Sequence, residues 1–144
     1  MSPFAIRQVQ NNDIESIAKL CGQLGYVTKT EDLPQRLKQI SETSHHMIYV
    51  ADLDHQVVGW IHVYLCPLLI YGSQAQLGGM VVHEEHRSKG IGKKLLLQAE
   101  TWARSKGCQY LTVFSNITRS ETHKFYSQSG YQNLKTEFVL QKHL

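Results

Sequence analysis

The segment from Val81 to Leu97 constrains this chain most: an apolar strand end runs through HEEHRSKGIGKK into a helix whose Ile91, Leu95, Ala99, Trp102 and Ala103 form one apolar stripe closed by Gly107. A strand, a glycine-bearing basic turn and an amphipathic helix in direct succession dictate a sheet with a helix laid against it. The first turn of that helix leaves backbone N–H groups unpaired at the positive end of the helix dipole, which suits a phosphate. Gly90 and Gly92 let backbone approach a ligand without side-chain collision. Arg87, Lys89, Lys93 and Lys94 place four cations within eight residues that include no acid, so an anion is expected there.

Around this segment the pattern alternates between strand and helix. Phe4 to Val9 alternates as a first strand. Asn12 and Glu15 have capping-box spacing ahead of a helix stripe of Ile14, Ile17, Ala18, Leu20 and Leu24 that Gly25 ends. A second helix starts near Asp32, with Pro34 in its first turn and Leu33, Leu37 and Ile40 on one face. Met47 to Ala51 and Val57 to Leu65 read as a hairpin about a turn at Asp52 to Gln56. Gln76 to Val82 is a strand holding Gly78 and Gly79, which marks a bulge or a close backbone approach. Gln109 to Ser115 is a further strand. Thr118 and Glu121 suggest a capping box for a helix reaching Gly130, and Tyr131 onward, centred on Phe138 to Leu140, supplies one or two closing strands. The order β α α β β β α β α β predicts a mixed sheet with helices on both faces, in one domain spanning residues 1–144.

Composition excludes several classes. Nothing approaches the roughly 20 apolar residues of a membrane span, and the opening MSPFAIRQVQ lacks a signal-peptide layout. Cys21, Cys66 and Cys108 are odd in number and far apart, which fits a reducing, cytoplasmic setting better than a disulfide frame or a zinc site. Eight His without ligand spacing predict no metal. The net charge of +3 does not call for nucleic acid, and the basic turn has no interleaved aromatics for base stacking. Three motif readings of the turn fail on spacing. A Walker loop needs Gly at Arg87 and Ser or Thr at Lys94; a Rossmann fingerprint needs Gly at Leu95; a zincin helix needs His at Arg87, whereas His86 falls one position short.

What remains is Arg87-Ser88-Lys89-Gly90-Ile91-Gly92. This resembles the pyrophosphate loop, (Gln/Arg)-x-x-Gly-x-(Gly/Ala), of the GNAT superfamily of N-acetyltransferases, and the later Phe125-Tyr126 followed by Gly130-Tyr131 is similar as well. The resemblance covers nearly the whole chain. It implies an α/β fold with a mixed, mostly antiparallel twisted sheet, and acetyl-CoA as co-substrate. It implies that backbone groups of Met80, Val81 and Val82 meet the acetyl and pantetheine portions. Arg87, Ser88, Lys89, Gly90, Ile91, Gly92 and Lys93 would hold the diphosphate, with Asn116 and Arg119 adding to the coenzyme site. Tyr126 would be the hydrogen-bond donor to the leaving sulfur. Seven residues, about 10 Å of helix rise, separate Arg119 from Tyr126 on a face that also carries Thr122.

The resemblance implies attack of a neutral amine on the thioester, the acceptor being a small molecule or a protein amino group. It supplies no carboxylate for the base. Gln76, Gly78 and Phe114 stand where relatives carry Glu, which leaves relayed water, His62, His83 and Glu84. The same gap raises a rival reading, a non-catalytic acyl-CoA-binding module. The apolar run Leu65 to Tyr71 lines the acceptor cleft, covers a homodimer contact or packs inward, and the sequence leaves these three open.

Overall fold

A computed structural model describes residues 3–25 and 28–144. The chain divides into two compact units, Met1–Val113 and Phe114–Leu144.

The first unit is a five-stranded sheet with strand order β1-β2-β3-β4-β5: β1 Phe4–Gln8, β2 His46–Leu53, β3 Gln56–Leu65, β4 Gln74–Val82 and β5 Tyr110–Thr112. The first four pair antiparallel, and β4 with β5 is parallel. Helices α1 (Ile14–Gln23) and α2 (Leu33–Ser41) link β1 to β2, and α3 (Ile91–Ser105) links β4 to β5. Trp60 packs into a buried cluster with Leu20 of α1, Val50 and Val81. One residue earlier on β3, the bare backbone of Gly59 faces Ile91 and Leu95 of α3. Successive strand residues point to opposite faces, so α1 and α3 cover opposite sides of the sheet, as the element order predicts. Ile91, Leu95, Ala99, Trp102 and Ala103, the expected stripe, are all buried.

The local signals differ from expectation in informative places. The β2–β3 strands run further than the pattern suggests, leaving only Asp54 and His55 in the turn, both at positive φ (50° and 67°), as a two-residue primed hairpin turn requires. The helical entry is capped two residues earlier than Asn12: Gln10 caps a 3₁₀ turn at Asn11–Asp13 that precedes α1, and the Asp13 carboxylate accepts the Gln10 amide at 2.7 Å. Asp13 is recruited because Arg7 of β1 reaches it with two hydrogen bonds of 2.9 Å and binds Asp52 at 3.1 Å. β5 is shorter than Gln109 to Ser115: its ladder with β4 ends at the Gln76–Thr112 pair, two residues before the bulge at Gly78.

The second unit holds α4, Ser120–Gln128, which Gly130 terminates with φ of 92°. Thr118 does not open a capping box: its N–H and hydroxyl donate to Asn116 Oδ1 at 2.9 and 2.8 Å, and the N-cap falls on Arg119. The expected closing strands are absent among the described residues. Tyr131 to Leu144 forms no ladder, with Phe138, Val139 and Leu140 exposed at 93, 88 and 89%. Strand propensity specifies a residue that suits a sheet, but a strand also needs a partner edge, which this segment lacks here. No helix among the described residues is long and apolar enough to cross a membrane.

Candidate coenzyme and acetyl-transfer site

The bulge in β4 is the origin of the site. Ladder pairs run Val63 to Leu77 and His62 to Gly79, so Gly78 is the extra residue without a partner on β3. A bulge turns two consecutive residues toward the same face, and two rings of β3 occupy the space that their side chains would take. A β-carbon on Gly78 would collide with the His62 imidazole, and one on Gly79 would lie 2.8 Å from Trp60 Cη2. The close approach signalled by the two glycines is thus made by side-chain rings rather than by another backbone. On the other edge of β4 the ladder with β5 covers only Gln74, Ala75 and Gln76. From Leu77 to Val82, through Met80 and Val81, that edge has no strand partner among the described residues.

The strand then enters the turn. His83 Nδ1 accepts the Glu85 amide at 3.1 Å, the Glu84 amide donates to Gln23 Oε1 at 3.0 Å, and Arg87 Nε donates to the Val82 carbonyl at 3.2 Å. Lys89 Nζ lies 3.2 Å from His86 Nδ1. Ser88 and Gly90 both take positive φ (63° and 83°), and Gly90 is the N-cap of α3 with open space where a side chain would be. The first intrahelical bond runs from the Lys94 amide to the Gly90 carbonyl at 3.1 Å, which leaves the amides of Ile91, Gly92 and Lys93 ahead of the helical ladder. Arg87, Lys89 and Lys93 are exposed, and among the described residues neither they nor Lys94 pair with a carboxylate. An open run of amides, a left-handed glycine and cations not neutralised by carboxylates make a fitting cradle for a diphosphate. One strand and its exit turn thus carry Met80, Val81, Val82 and all of residues 87–93.

On the α1 face beside the bulge, three rings of β2 and β3 stand in a row. His46 Nδ1 lies 2.9 Å from His62 Nε2, and the His46 ring stacks on both His62 and Tyr64 at centroid distances of 5.2 Å. Burial, and then the neighbouring His46 charge, push the His62 imidazole down to about 4; burial and His45 also lower His46. His62 is therefore a neutral ring at neutral pH. The nearby Trp60 Nε1 is buried with no acceptor among the described residues. His83 has its Nδ1 engaged locally, and Glu84 lies exposed in the turn. No group of three or more His, Cys, Asp or Glu among the described residues could hold a metal ion.

In the second unit, Asn116 shapes the approach to α4: its side chain holds Thr118, and its carbonyl faces His123 Nε2 at 2.8 Å and accepts the Arg119 amide at 3.0 Å. Tyr126 lies edge-on to Phe125 and Tyr131, at centroid distances of 5.2 and 5.6 Å. Burial pushes its hydroxyl up to about 12, so it remains a protonated donor throughout the physiological range. Phe114 is exposed and carries no ionisable group.

The model of the acetyltransferase (GNAT) family matches residues 12–131. The chain belongs to the GNAT acetyltransferase family. Among its relatives, the uncharacterized N-acetyltransferase YhfO of Bacillus subtilis is 28% identical over 141 residues, covering 93% of each chain. The uncharacterized N-acetyltransferase YhdJ of the same organism is 36% identical over 56 residues, a match that spans 39% of either protein. Among solved structures, the aminoglycoside N-acetyltransferase AAC(6')-Iy in complex with CoA superposes with a TM-score of 0.87 at 18% identity, over the whole of this chain and 97% of that one. That likeness shows the GNAT fold, with its mixed and mostly antiparallel sheet.

Within the GNAT frame, sequence reading reaches the loop directly and misses His46. Its spacing from His62 matches no ligand or catalytic motif. Only the hairpin register, with His46 opposite Tyr64 and Ile48 opposite His62, brings the two imidazoles together.

Proposed function

We propose that this GNAT protein transfers the acetyl group of acetyl-CoA to a primary amine of a small molecule or a peptide by direct attack on the thioester. The observation that carries the reading is the continuity of β4 with its exit turn. An edge without a ladder partner from Leu77 to Val82 leads into a cationic turn whose amides at Ile91, Gly92 and Lys93 are free of the helix ladder. The coenzyme supplies an activated acyl group and a thiolate leaving group. Backbone groups of Met80, Val81 and Val82 hold its amide-bearing arm as a strand would, and a fixed N–H near Val81 stabilises the oxyanion of the tetrahedral intermediate. Arg87, Ser88, Lys89, Gly90, Ile91, Gly92 and Lys93 bind the diphosphate, and the family resemblance assigns Asn116 and Arg119 to coenzyme binding as well. Tyr126, held protonated, donates to the departing sulfur. The three free thiols, Cys21, Cys66 and Cys108, support the reducing cytoplasmic setting expected of such an enzyme.

Calorimetric titration with acetyl-CoA, combined with a thiol-release assay over an aminoglycoside, a polyamine, 2-aminoethylphosphonate and a lysine-bearing peptide, tests this. Saturable binding and thiol release with at least one amine are expected. Binding without transfer to any of them converts the protein into an acyl-CoA-binding module, and no binding removes the assignment.

A further inference from the structure

We propose that His62 accepts the proton of the attacking amine and that His46 passes it on to solvent. The inference rests on the acetyl-transfer reading and names the base that reading leaves open.

Three observations support it. First, neither β3 nor β4 carries Asp or Glu, so His62 is the basic side chain of the two strands that flank the bulge. Second, its ring occupies the place that a side chain at Gly78 would fill, with Nδ1 the atom nearest to that missing β-carbon. The glycine therefore does more than permit a bulge: it lets an imidazole lie against the strand that meets the acetyl group two residues further on, at Met80. Third, the other ring nitrogen, Nε2, is committed to His46 Nδ1 at 2.9 Å. With the proton of that bond on His62 Nε2, Nδ1 holds a free lone pair; because burial disfavours an imidazolium here, the proton taken at Nδ1 is matched by release of the Nε2 proton to His46 rather than stored on the ring. His46 is half-buried rather than sealed, so the pair ends at a residue within reach of solvent.

In the step, the amine nitrogen forms a bond to the thioester carbonyl carbon. As the tetrahedral intermediate collapses, the C–S bond breaks and the sulfur leaves with its electron pair. The proton shed by nitrogen moves to His62 Nδ1, the Nε2 proton of His62 moves to His46 Nδ1, and His46 returns one proton to water from its own Nε2. The sulfur gains one proton from its donor, which recovers a proton from the water that received one from His46, and the two rings regain their starting tautomers by exchange with solvent, so the sum is amine plus acyl thioester giving amide plus thiol. His62 is the catalytic residue here and His46 the positioning one: it fixes the tautomer that leaves Nδ1 open.

The test compares the unaltered protein with His62→Gln and His46→Gln in calorimetry with acetyl-CoA and in thiol release, using amines of graded basicity from alkylamines to an alkoxyamine. Loss of a general base is expected to lower kcat of His62→Gln by about 100-fold, with acetyl-CoA affinity unchanged within twofold. The deficit is expected to shrink for weakly basic amines, whose intermediates lose a proton to water unaided. His46→Gln is expected to lower kcat three- to tenfold with KM held, and it carries the test if His62→Gln does not fold. A kcat deficit that is absent, or uniform across all amines, overturns the inference while leaving acetyl transfer standing. An unaltered protein that binds acetyl-CoA yet acetylates no amine overturns both.

Discussion

The imidazole of His62 fills the volume that any side chain at Gly78 would need, and Trp60 does the same at Gly79, where a β-carbon would lie 2.8 Å from Cη2. Alanine at either position forces a ring of β3 off its site. Gly78→Ala and Gly79→Ala are each expected to cost about 1–3 kcal/mol by overpacking, read as lower urea midpoints. Gly78→Ala should also break the His46–His62 hydrogen bond, visible as altered imidazole ¹⁵N shifts. Midpoints equal to that of the unaltered protein would contradict this packing.

The indole of Trp60 offers a different test. Its Nε1 is buried with no acceptor among the described residues. A donor left unpaired carries a desolvation cost of about 1–3 kcal/mol. Trp60→Phe removes that donor while keeping a ring over Gly79, so its loss of stability should be less than about 1 kcal/mol despite the smaller ring. A loss above about 3 kcal/mol, the range of an ordinary large core deletion, would show the nitrogen to be bonded.

Arg7 and Asp13 tie β1 to the entry of α1, and Asp13 is only 4% exposed. Burial alone would raise the Asp13 carboxyl, but the Arg7 hydrogen bonds and charge and the Gln10 amide overcome it and hold it below the ordinary 3.8. A lowered folded-state pKa contributes stability that is whole above the ordinary carboxylate range and fades as pH falls through the folded value. Asp13→Asn should therefore lose about 1–3 kcal/mol at pH 7 and show a shallower decline than the unaltered protein below pH ~4. Parallel acid limbs in urea titrations at pH 7, 4 and 3 would refute this.

Gly90 has φ of 83° and open space around its missing side chain. Gly90→Ala meets no clash, so its cost is backbone strain alone, about 1–2 kcal/mol. Because this residue aims the amides of α3, acetyl-CoA affinity should fall by at least tenfold, about 1.4 kcal/mol. Lys89→Ala and Lys93→Ala should weaken binding less, and their effects should vanish at high salt because both cations are exposed. Calorimetry at two ionic strengths reads both. Affinity untouched by Gly90→Ala would remove the turn from the coenzyme site.

Tyr126 is a donor of weak acidity, with its hydroxyl near 12. Tyr126→Phe is expected to reduce turnover at least roughly tenfold, about 1.4 kcal/mol of barrier, with acetyl-CoA affinity nearly unchanged. Because the hydroxyl stays protonated, turnover should show no alkaline limb from this group below pH ~11. Unaltered turnover in Tyr126→Phe would take it out of the reaction.

Much of this molecule is legible in its residues because local signals and tertiary structure agree. The stripe from Ile91 to Ala103 is apolar at helical spacing and all of it is buried; Gly90 stands where a left-handed cap is required. Legibility fails where one residue's role depends on a distant one. Asn12 has a good capping sequence, but Arg7 draws Asp13 into that task instead. Phe138 to Leu140 suits a strand, yet strand formation needs an edge that no local pattern reveals. The His46–His62 pair joins residues sixteen apart in the chain and arises from hairpin register, which the Asp54–His55 turn and the one-residue shift at Ala51/Asp52 set together.

The early end of the β4–β5 ladder also sets a clock on individual protons. Along Leu77 to Val82, amides aimed at β3 are locked into a long antiparallel ladder, while alternate ones aimed the other way have no β5 carbonyl to meet. In heavy water the two sets should trade hydrogen for deuterium at different speeds, the second set early, giving an every-other-residue rhythm within a single strand. A guest that supplies its own carbonyls to that edge would slow the fast beats and spare the slow ones.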